Sequence, residues 1–170
     1  MANAHDYALA APEIFLALAA MVLLMLGVFR GNQSTRLLCW LAVASFAITS
    51  LLVFKAPAES SSSFAGMYVA DSFTAFIKIL VLIGSAAGLI MSMGFIRDEG
   101  MERFEFPVLF ILATLGMMMM VSANDLIALY MGIELQSLAL YVIASFQRDS
   151  LRSTEAGLKY FVLGALSSGM

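Results

Sequence analysis

Six stretches of this sequence are apolar and approach the length of a helix that crosses a lipid bilayer. A bilayer core of roughly 30 Å is spanned by about 20 mostly apolar residues in a helix. The first five stretches meet that requirement, whereas the sixth has reached 15 residues when the sequence stops at Met170. The stretches are residues 12–29, 37–54, 73–96, 106–123, 126–146 and 156–170.

Composition indicates that lipid is the solvent for this chain. Of its 170 residues, 62% are hydrophobic and 12% are charged, whereas a soluble domain is about half apolar and about a quarter charged. In lipid every backbone N–H and C=O group must be bonded within the protein, which a helix achieves by itself. We therefore predict an all-α, multi-pass transmembrane bundle of about six helices, forming one membrane domain over residues 1–170.

The sequence lacks the residues that several classes of function require. The net charge of −3 comes without a basic cluster, so no nucleic-acid partner is expected. Cys39 is the single cysteine and His5 the single histidine, which excludes an internal disulfide and provides no Cys/His metal site. The sequence contains no nucleophile triad, phosphate-binding loop or haem motif. Acidic and basic side chains inside the apolar segments are therefore the candidates for chemistry.

Basic residues alternate along the connections between the segments. Paired arginines follow the first, third and fifth segments, whereas the other connections hold Lys55 or no basic residue. Loops rich in arginine and lysine face the cytoplasm in membrane proteins. We therefore predict that the N-terminus lies outside and that residues 55–72 form the longest outer loop. The arginine pairs are Arg30 with Arg36, Arg97 with Arg103, and Arg148 with Arg152.

Glu134 lies near the middle of the fifth apolar segment. Eight residues separate it from Leu126, which is about 12 Å along a helix. A charge at such depth costs about 2.5–3.5 kcal/mol, so the carboxyl group is expected to face other helices or water. Ser137 and Tyr141 follow three and seven residues later, on the same helix face. We interpret Glu134 as a proton relay; the alternative is a structural ion pair or a protonated packing residue.

Lys159 in the sixth segment is a second candidate, and Glu155 precedes it by one turn. A glutamate four residues before a lysine is the favourable order for an ion pair on a helix. A lysine keeps its proton beside a carboxylate and gives it up more readily without one. We interpret the pair as a switchable proton site, the alternative being a lysine that snorkels to the interface.

Lys78 in the third segment is a third candidate for proton transfer. Asp71 lies seven residues earlier, on the same helix face. We expect Lys78 to pair with Asp71 or to snorkel to the outer interface. Glu13, Asp71 and Asp125 are expected at helix ends, near water, and the two aspartates are predicted to cap free N–H groups.

Two stretches of the sequence resemble a known family. Residues 129–141, LYMGIELQSLALY, are similar to the fifth helix of subunit N of bacterial proton-pumping NADH–quinone oxidoreductase, the respiratory complex I. Residues 148–169, RDSLRSTEAGLKYFVLGALSSG, resemble that subunit's next loop and sixth helix, and this is the most specific match. The resemblance extends over the whole chain, through PEI at residues 12–14 and DSF at residues 71–73.

The resemblance implies roles, cofactors and partners. Glu134 would be the essential helix-five glutamate and Lys159 the helix-six lysine of the proton pathway, in a non-redox subunit of a translocating enzyme. The subunit itself would hold no cofactor, since NADH, FMN, iron–sulfur clusters and quinone belong to partner subunits. The chain would lie in the bacterial inner membrane, in contact with lipid and with other membrane-arm subunits, including neighbouring antiporter-like ones.

The resemblance also implies about fourteen helices built from two inverted repeats, of which this sequence contains the start of the first. We therefore expect the front part of a longer protein or a gene product cut short, inactive on its own. Two alternatives stay open. One is a subunit of a stand-alone cation/proton antiporter, which uses the same acid and base residues. The other is a non-catalytic membrane scaffold, in which Glu134 and Lys159 only pair helices.

Overall fold

The computed structural model describes residues 4–31, 34–55, 61–147 and 149–170, and most of them are helical. The predicted all-α class is therefore confirmed. In chain order the elements are α1 (Ala4–Leu9), α2 (Ala11–Arg30), α3 (Thr35–Lys55), β1 (Ser61–Ser63), a 3-10 turn (Phe64–Gly66), β2 (Tyr68–Ala70), α4 (Ser72–Asp98), α5 (Glu105–Ser122), α6 (Leu126–Ala144) and α7 (Leu151–Ser168).

Within the described ranges, five helices are long and apolar enough to cross a membrane, namely α2 to α6. They match the first five predicted segments, and their ends differ from the prediction by at most two residues. The sixth segment corresponds to α7, which begins at Leu151 and not near Ala156. This helix is less apolar because its 18 residues include Arg152, Glu155 and Lys159.

Polar side chains set the starts of three helices. The Asp71 carboxylate accepts a hydrogen bond of 2.7 Å from the Thr74 N–H, and the Thr74 hydroxyl accepts one of 2.9 Å from the Asp71 N–H. Asp125 caps α6 by accepting from the Ile127 N–H. Ser150 caps α7, which explains the earlier start of that helix. The predicted caps at Asp71 and Asp125 are confirmed.

The core of the bundle lies between α2, α3, α4 and α5. These helices contribute a continuous set of apolar side chains that have almost no exposed surface. Helix α6 packs against α5, and α7 packs against α6. The largest buried apolar side chains are Leu16, Leu38, Phe46, Leu82, Leu89, Ile111 and Met118.

Two glycines allow α5 and α6 to approach closely. A Cβ atom at Gly116 would lie 2.6 Å from the backbone nitrogen of Gln136, and one at Gly132 would lie 2.9 Å from the backbone nitrogen of Met120. Backbone atoms cannot move aside as flexible side chains can. The two positions therefore fix the register between α5 and α6, the helix that carries Glu134.

The connection between α3 and α4, predicted as a loop, contains a short β-hairpin. Strand β1 pairs antiparallel with β2, so that Ser62 lies opposite Val69. The hairpin is attached to the connection between α5 and α6, since the Asn124 N–H donates to the Met67 carbonyl at 2.9 Å. It therefore covers one end of the bundle and fixes the position of Tyr68 there.

Candidate functional site

Glu134 lies near the middle of α6, as predicted. The helix starts eight residues before it and ends ten residues after it, at Ala144. Its side chain is partly buried, and the described part of the chain offers its carboxylate no hydrogen bond or ion pair. A carboxyl group in the apolar middle of a candidate membrane span therefore has its bonding capacity unfilled by the described residues.

The face of α6 that carries Glu134 is the face that meets α7. Tyr141, two turns after Glu134, has its ring centroid 4.8 Å from that of Tyr160 and 5.8 Å from that of Phe161. Its hydroxyl also lies where a Cβ atom at Gly164 would stand. Glu134 therefore lies on the α7 side of α6, about 10 Å along the helix from this aromatic contact.

Glu155 and Lys159 form the predicted ion pair on α7. The Lys159 Nζ atom lies 2.6 Å from Glu155 Oε1, and the two side chains are 70% and 55% exposed. They are thus on the outer surface of the described chain. The structure pairs these two residues with each other and not with Glu134.

Lys78 has a different partner from the predicted one. Its Nζ atom lies 2.5 Å from Glu13 Oε1, and the side chains of Lys78 and Glu13 are only 5% and 9% exposed. Lys78 thus neither snorkels to the interface nor pairs with Asp71. Glu13 lies in the first turn of α2, as predicted, but its charge is buried there and is not near water. Helices α2 and α4 each pack against α3 and α5, and this arrangement buries both charges together.

Tyr68 of the hairpin completes this buried group. Lys78 Nζ donates a hydrogen bond of 2.8 Å to the Tyr68 hydroxyl, which in turn lies within donating distance of Glu13 Oε2, at 3.0 Å, and of the Leu9 carbonyl, at 3.2 Å. Burial, and then the nearby Glu13 charge, raise the pKa of Tyr68 well above its usual range. The phenol therefore stays protonated over the whole physiological range. We call Glu13, Tyr68 and Lys78 the hairpin cluster.

Asp71 caps α4 instead of pairing with Lys78. The hydrogen bond from the Thr74 backbone N–H, followed by that with the Thr74 hydroxyl, lowers the pKa of the Asp71 carboxyl below its ordinary value. The cap therefore persists as an ionised carboxylate at neutral pH. Its seven-residue spacing to Lys78 places the two on one face without bringing their charged groups together.

Sequence reasoning did not identify Glu13 and Tyr68 as members of a site. For Glu13 a signal existed, because it opens an apolar segment directly after Pro12, a residue favoured in the first turn of a helix. A glutamate in that turn enters the bundle with the helix. Tyr68 had no comparable signal, since its position follows from the hairpin.

Glu105 is a further, partly buried acid that the sequence did not single out. Its Oε2 atom is inaccessible to solvent and has no hydrogen-bond partner among the described residues. The residue lines a cavity of about 570 Å³ together with Val108, Ser145 and Thr154. The described residues contain no group of three metal-ligating side chains, so Glu105 is not part of a candidate metal site of that kind.

The sequence of this chain is similar to known proteins. Residues 123–170 match the family model described as NADH:quinone oxidoreductase/Mrp antiporter, TM. The chain is 60% identical over 161 residues to NADH-quinone oxidoreductase subunit N of Parvibaculum lavamentivorans, covering 95% of this chain and 33% of that protein. It is 55% identical to subunit N 1 of Rhizobium meliloti, covering 95% and 34%.

The fold agrees with this assignment. A chain of respiratory complex I from Thermus thermophilus, solved with bound Aureothin, superposes on this chain with a TM-score of 0.74 at 26% sequence identity. The match covers 93% of this chain and 34% of the Thermus thermophilus chain. This chain spans about one third of the length of its curated relatives. By sequence and by helical fold, the chain matches the N-terminal third of NADH-quinone oxidoreductase subunit N.

Proposed function

We propose that this chain supplies part of a proton pathway in the membrane arm of a bacterial NADH–quinone oxidoreductase. The single observation that carries the proposal is the position of Glu134. Its carboxyl group lies in the middle of an apolar helix and receives no hydrogen bond or ion pair from the described residues. Such a group is costly unless water, a proton or a further part of the protein satisfies it.

Glu134 is the relay residue in this proposal. A carboxyl group that can exist in both protonation states is able to take a proton from one side and release it to the other. Its face of α6 points toward α7, where Tyr141 meets Tyr160. A proton that reaches Glu134 therefore enters at the junction of these two helices.

Glu155 and Lys159 form the second element of the proposed pathway. Their pair lies on the surface of α7, and a charged pair on an apolar helix is expected to face protein or water in the membrane. Other parts of the full-length subunit would cover it. Loss or gain of the Glu155 charge would then alter how firmly Lys159 holds its proton.

The proposal extends to location, partners and cofactors. The subunit would lie in the bacterial inner membrane and contact other membrane-arm subunits, among them antiporter-like neighbours. It would hold no redox cofactor, and NADH, FMN, iron–sulfur clusters and quinone would belong to partner subunits. In that arrangement the chain serves the enzyme as a non-redox subunit that moves protons.

A stand-alone cation/proton antiporter is the second candidate. The family model that matches residues 123–170 includes Mrp antiporters in its description, and both functions use a buried glutamate. The relatives with 60% and 55% identity are named as subunits of NADH-quinone oxidoreductase, which favours the first candidate. Co-purification with subunits that oxidise NADH would separate the two.

The test replaces Glu134 in the full-length subunit of the assembled enzyme. We expect Glu134→Gln to lower proton pumping by about 100-fold, a typical loss for one proton-transfer group, whereas Glu134→Asp retains more because it still titrates. Glu99→Gln is the control, since Glu99 is an exposed acid at the end of α4. Normal pumping by Glu134→Gln, with the complex intact, would remove the relay role and leave the scaffold alternative.

A further inference from the structure

The hairpin cluster joins three titratable groups from three separate elements. Lys78 Nζ lies 2.5 Å from Glu13 Oε1 and 2.8 Å from the Tyr68 hydroxyl, and that hydroxyl lies 3.0 Å from Glu13 Oε2. Each member thus contacts both of the others. A proton can move within such a ring over single hydrogen bonds without any large movement of the side chains.

A small cavity adjoins the ammonium side of this ring. Its volume of about 20 Å³ is enough for one water molecule. Lys78 and Tyr68 line it on the side of the cluster, and Asp71 and Thr74 line it toward the start of α4. A water there would connect the Lys78 ammonium with the polar cap of α4 at the hairpin end of the bundle.

The charged groups around Lys78 are few within the described ranges. Helix α2 presents Glu13, β2 presents Tyr68, and the cap of α4 presents Asp71 across the cavity. Helix α3 contributes Val53, which is apolar, and the Ser122 hydroxyl at the end of α5 lies near Tyr68. Within the described ranges, Glu13 is therefore the acid in direct contact with the Lys78 ammonium.

We infer that the hairpin cluster is a second proton-exchange site, which passes protons between the bundle interior and the aqueous surface at the hairpin end. The inference rests on the proposed proton function but concerns residues remote from Glu134 in the sequence. Its substrate is the proton, carried by one water molecule. Neither a metal nor an oxidant takes part.

The exchange is a balanced cycle of five proton transfers. A proton that arrives at Glu13 neutralises its carboxylate, and Lys78, deprived of its counter-charge in an apolar site, releases a proton to the cavity water. That hydronium passes its proton on past Asp71 to the surface. Tyr68 then takes the proton from Glu13 as it gives its own to the Lys78 amine, which restores the ion pair. One proton has moved and no covalent bond to carbon has changed.

Lys78→Arg separates proton exchange from a structural ion pair. Arginine keeps the positive charge beside Glu13, but its pKa is too high for it to release a proton in a protein. We expect the assembled enzyme with Lys78→Arg to pump at least about 10-fold more slowly, and its rate to lose the wild-type dependence on the pH at the hairpin side. Lys55→Arg, at an exposed lysine at the end of α3, is the control and should match the wild type.

Tyr68→Phe provides an independent test, which can still be carried out if the enzyme with Lys78→Arg fails to assemble. It leaves both charged groups in place and removes only the hydroxyl that restores the pair, so we expect several-fold slower pumping in intact enzyme. A wild-type pumping rate and pH profile in Lys78→Arg would overturn the inference. If Lys78→Arg does not assemble, the same result in Tyr68→Phe would overturn it. If Glu134→Gln is inactive at the same time, only the second site has failed; if Glu134→Gln pumps normally, the proposed function has failed.

Discussion

The Lys78 ammonium lies 2.5 Å from the Glu13 carboxylate, although the two residues belong to different helices and both are buried. Taking two charges out of water is costly, and close contact with additional hydrogen bonds is what offsets that cost. Tyr68 supplies such a bond from the hairpin. The pair therefore links α2, α4 and the hairpin at one end of the bundle.

Breaking this pair should destabilise the subunit strongly. Removal of one partner from a buried ion pair costs about 3–5 kcal/mol, so we expect Lys78→Met and Glu13→Gln each to lower the thermal unfolding midpoint in detergent. The double variant Glu13→Gln/Lys78→Met should be more stable than the sum of the two losses predicts, because no charge is left unpaired. Additive losses would show that the two residues are not coupled in the folded protein.

Gly116 should tolerate no side chain. The Cβ atom of Gly116→Ala would lie 2.6 Å from the backbone nitrogen of Gln136, so α6 has to move away from α5. We expect a loss of stability of about 1–3 kcal/mol and lower pumping, measured on the purified enzyme. Gly84→Ala is the matched control, because a Cβ atom there meets nothing within 4 Å. Equal effects of the two substitutions would contradict the close approach of α5 and α6.

Asp71 should stabilise α4 in a pH-dependent manner. The fold lowers the pKa of its carboxyl group, so its stabilising contribution is complete above the unfolded value of about 3.9 and is lost as the pH falls through the lower, folded value. We expect wild type to be more stable than Asp71→Ala at neutral pH, and the difference to shrink below about pH 4. Thermal unfolding over that pH range measures it. A difference that stays constant with pH would mean that the carboxylate does not act as the cap.

Tyr68 should contribute to stability up to strongly alkaline pH. The fold raises the pKa of its phenol, so its contribution is complete below the unfolded value of about 10 and is lost as the pH rises toward the folded value. We expect Tyr68→Phe to cost about 1–3 kcal/mol and the cost to diminish above about pH 10. Tyr7→Phe is the control, because Tyr7 is an exposed tyrosine next to the same hairpin. Equal losses in the two variants would contradict a specific role for the Tyr68 hydroxyl.

The helices could be predicted because their cause is local. Apolar length decides whether a segment spans a membrane, and the five predicted spans agree with α2 to α6 to within two residues at each end. The caps at Asp71 and Asp125 were predictable for the same reason, since a cap bonds N–H groups two or three residues away. Helix α7 extended further than predicted because Ser150 caps it and its first turns are polar.

The hairpin cluster could not be predicted, because its cause is tertiary. Sequence spacing on one helix suggested Asp71 as the partner of Lys78, whereas the packing of α2 and α4 against α3 and α5 brings Glu13 to it. The pairing of β1 with β2 then placed Tyr68 over the pair. No periodicity within a single segment carries information about which helices become neighbours. The depth of Glu134 was different, since it follows from its position along α6 alone.

The most direct measurement of the central claim is the number of protons moved per NADH oxidised by the reconstituted enzyme with Glu134→Gln in the full-length subunit. Electron transfer takes place in other subunits under this account, so a lost relay lowers the proton yield. We predict fewer protons per NADH than for wild type, with Glu134→Asp in between and Glu99→Gln unchanged. An unaltered ratio at a normal rate of NADH oxidation would contradict the claim that Glu134 carries protons.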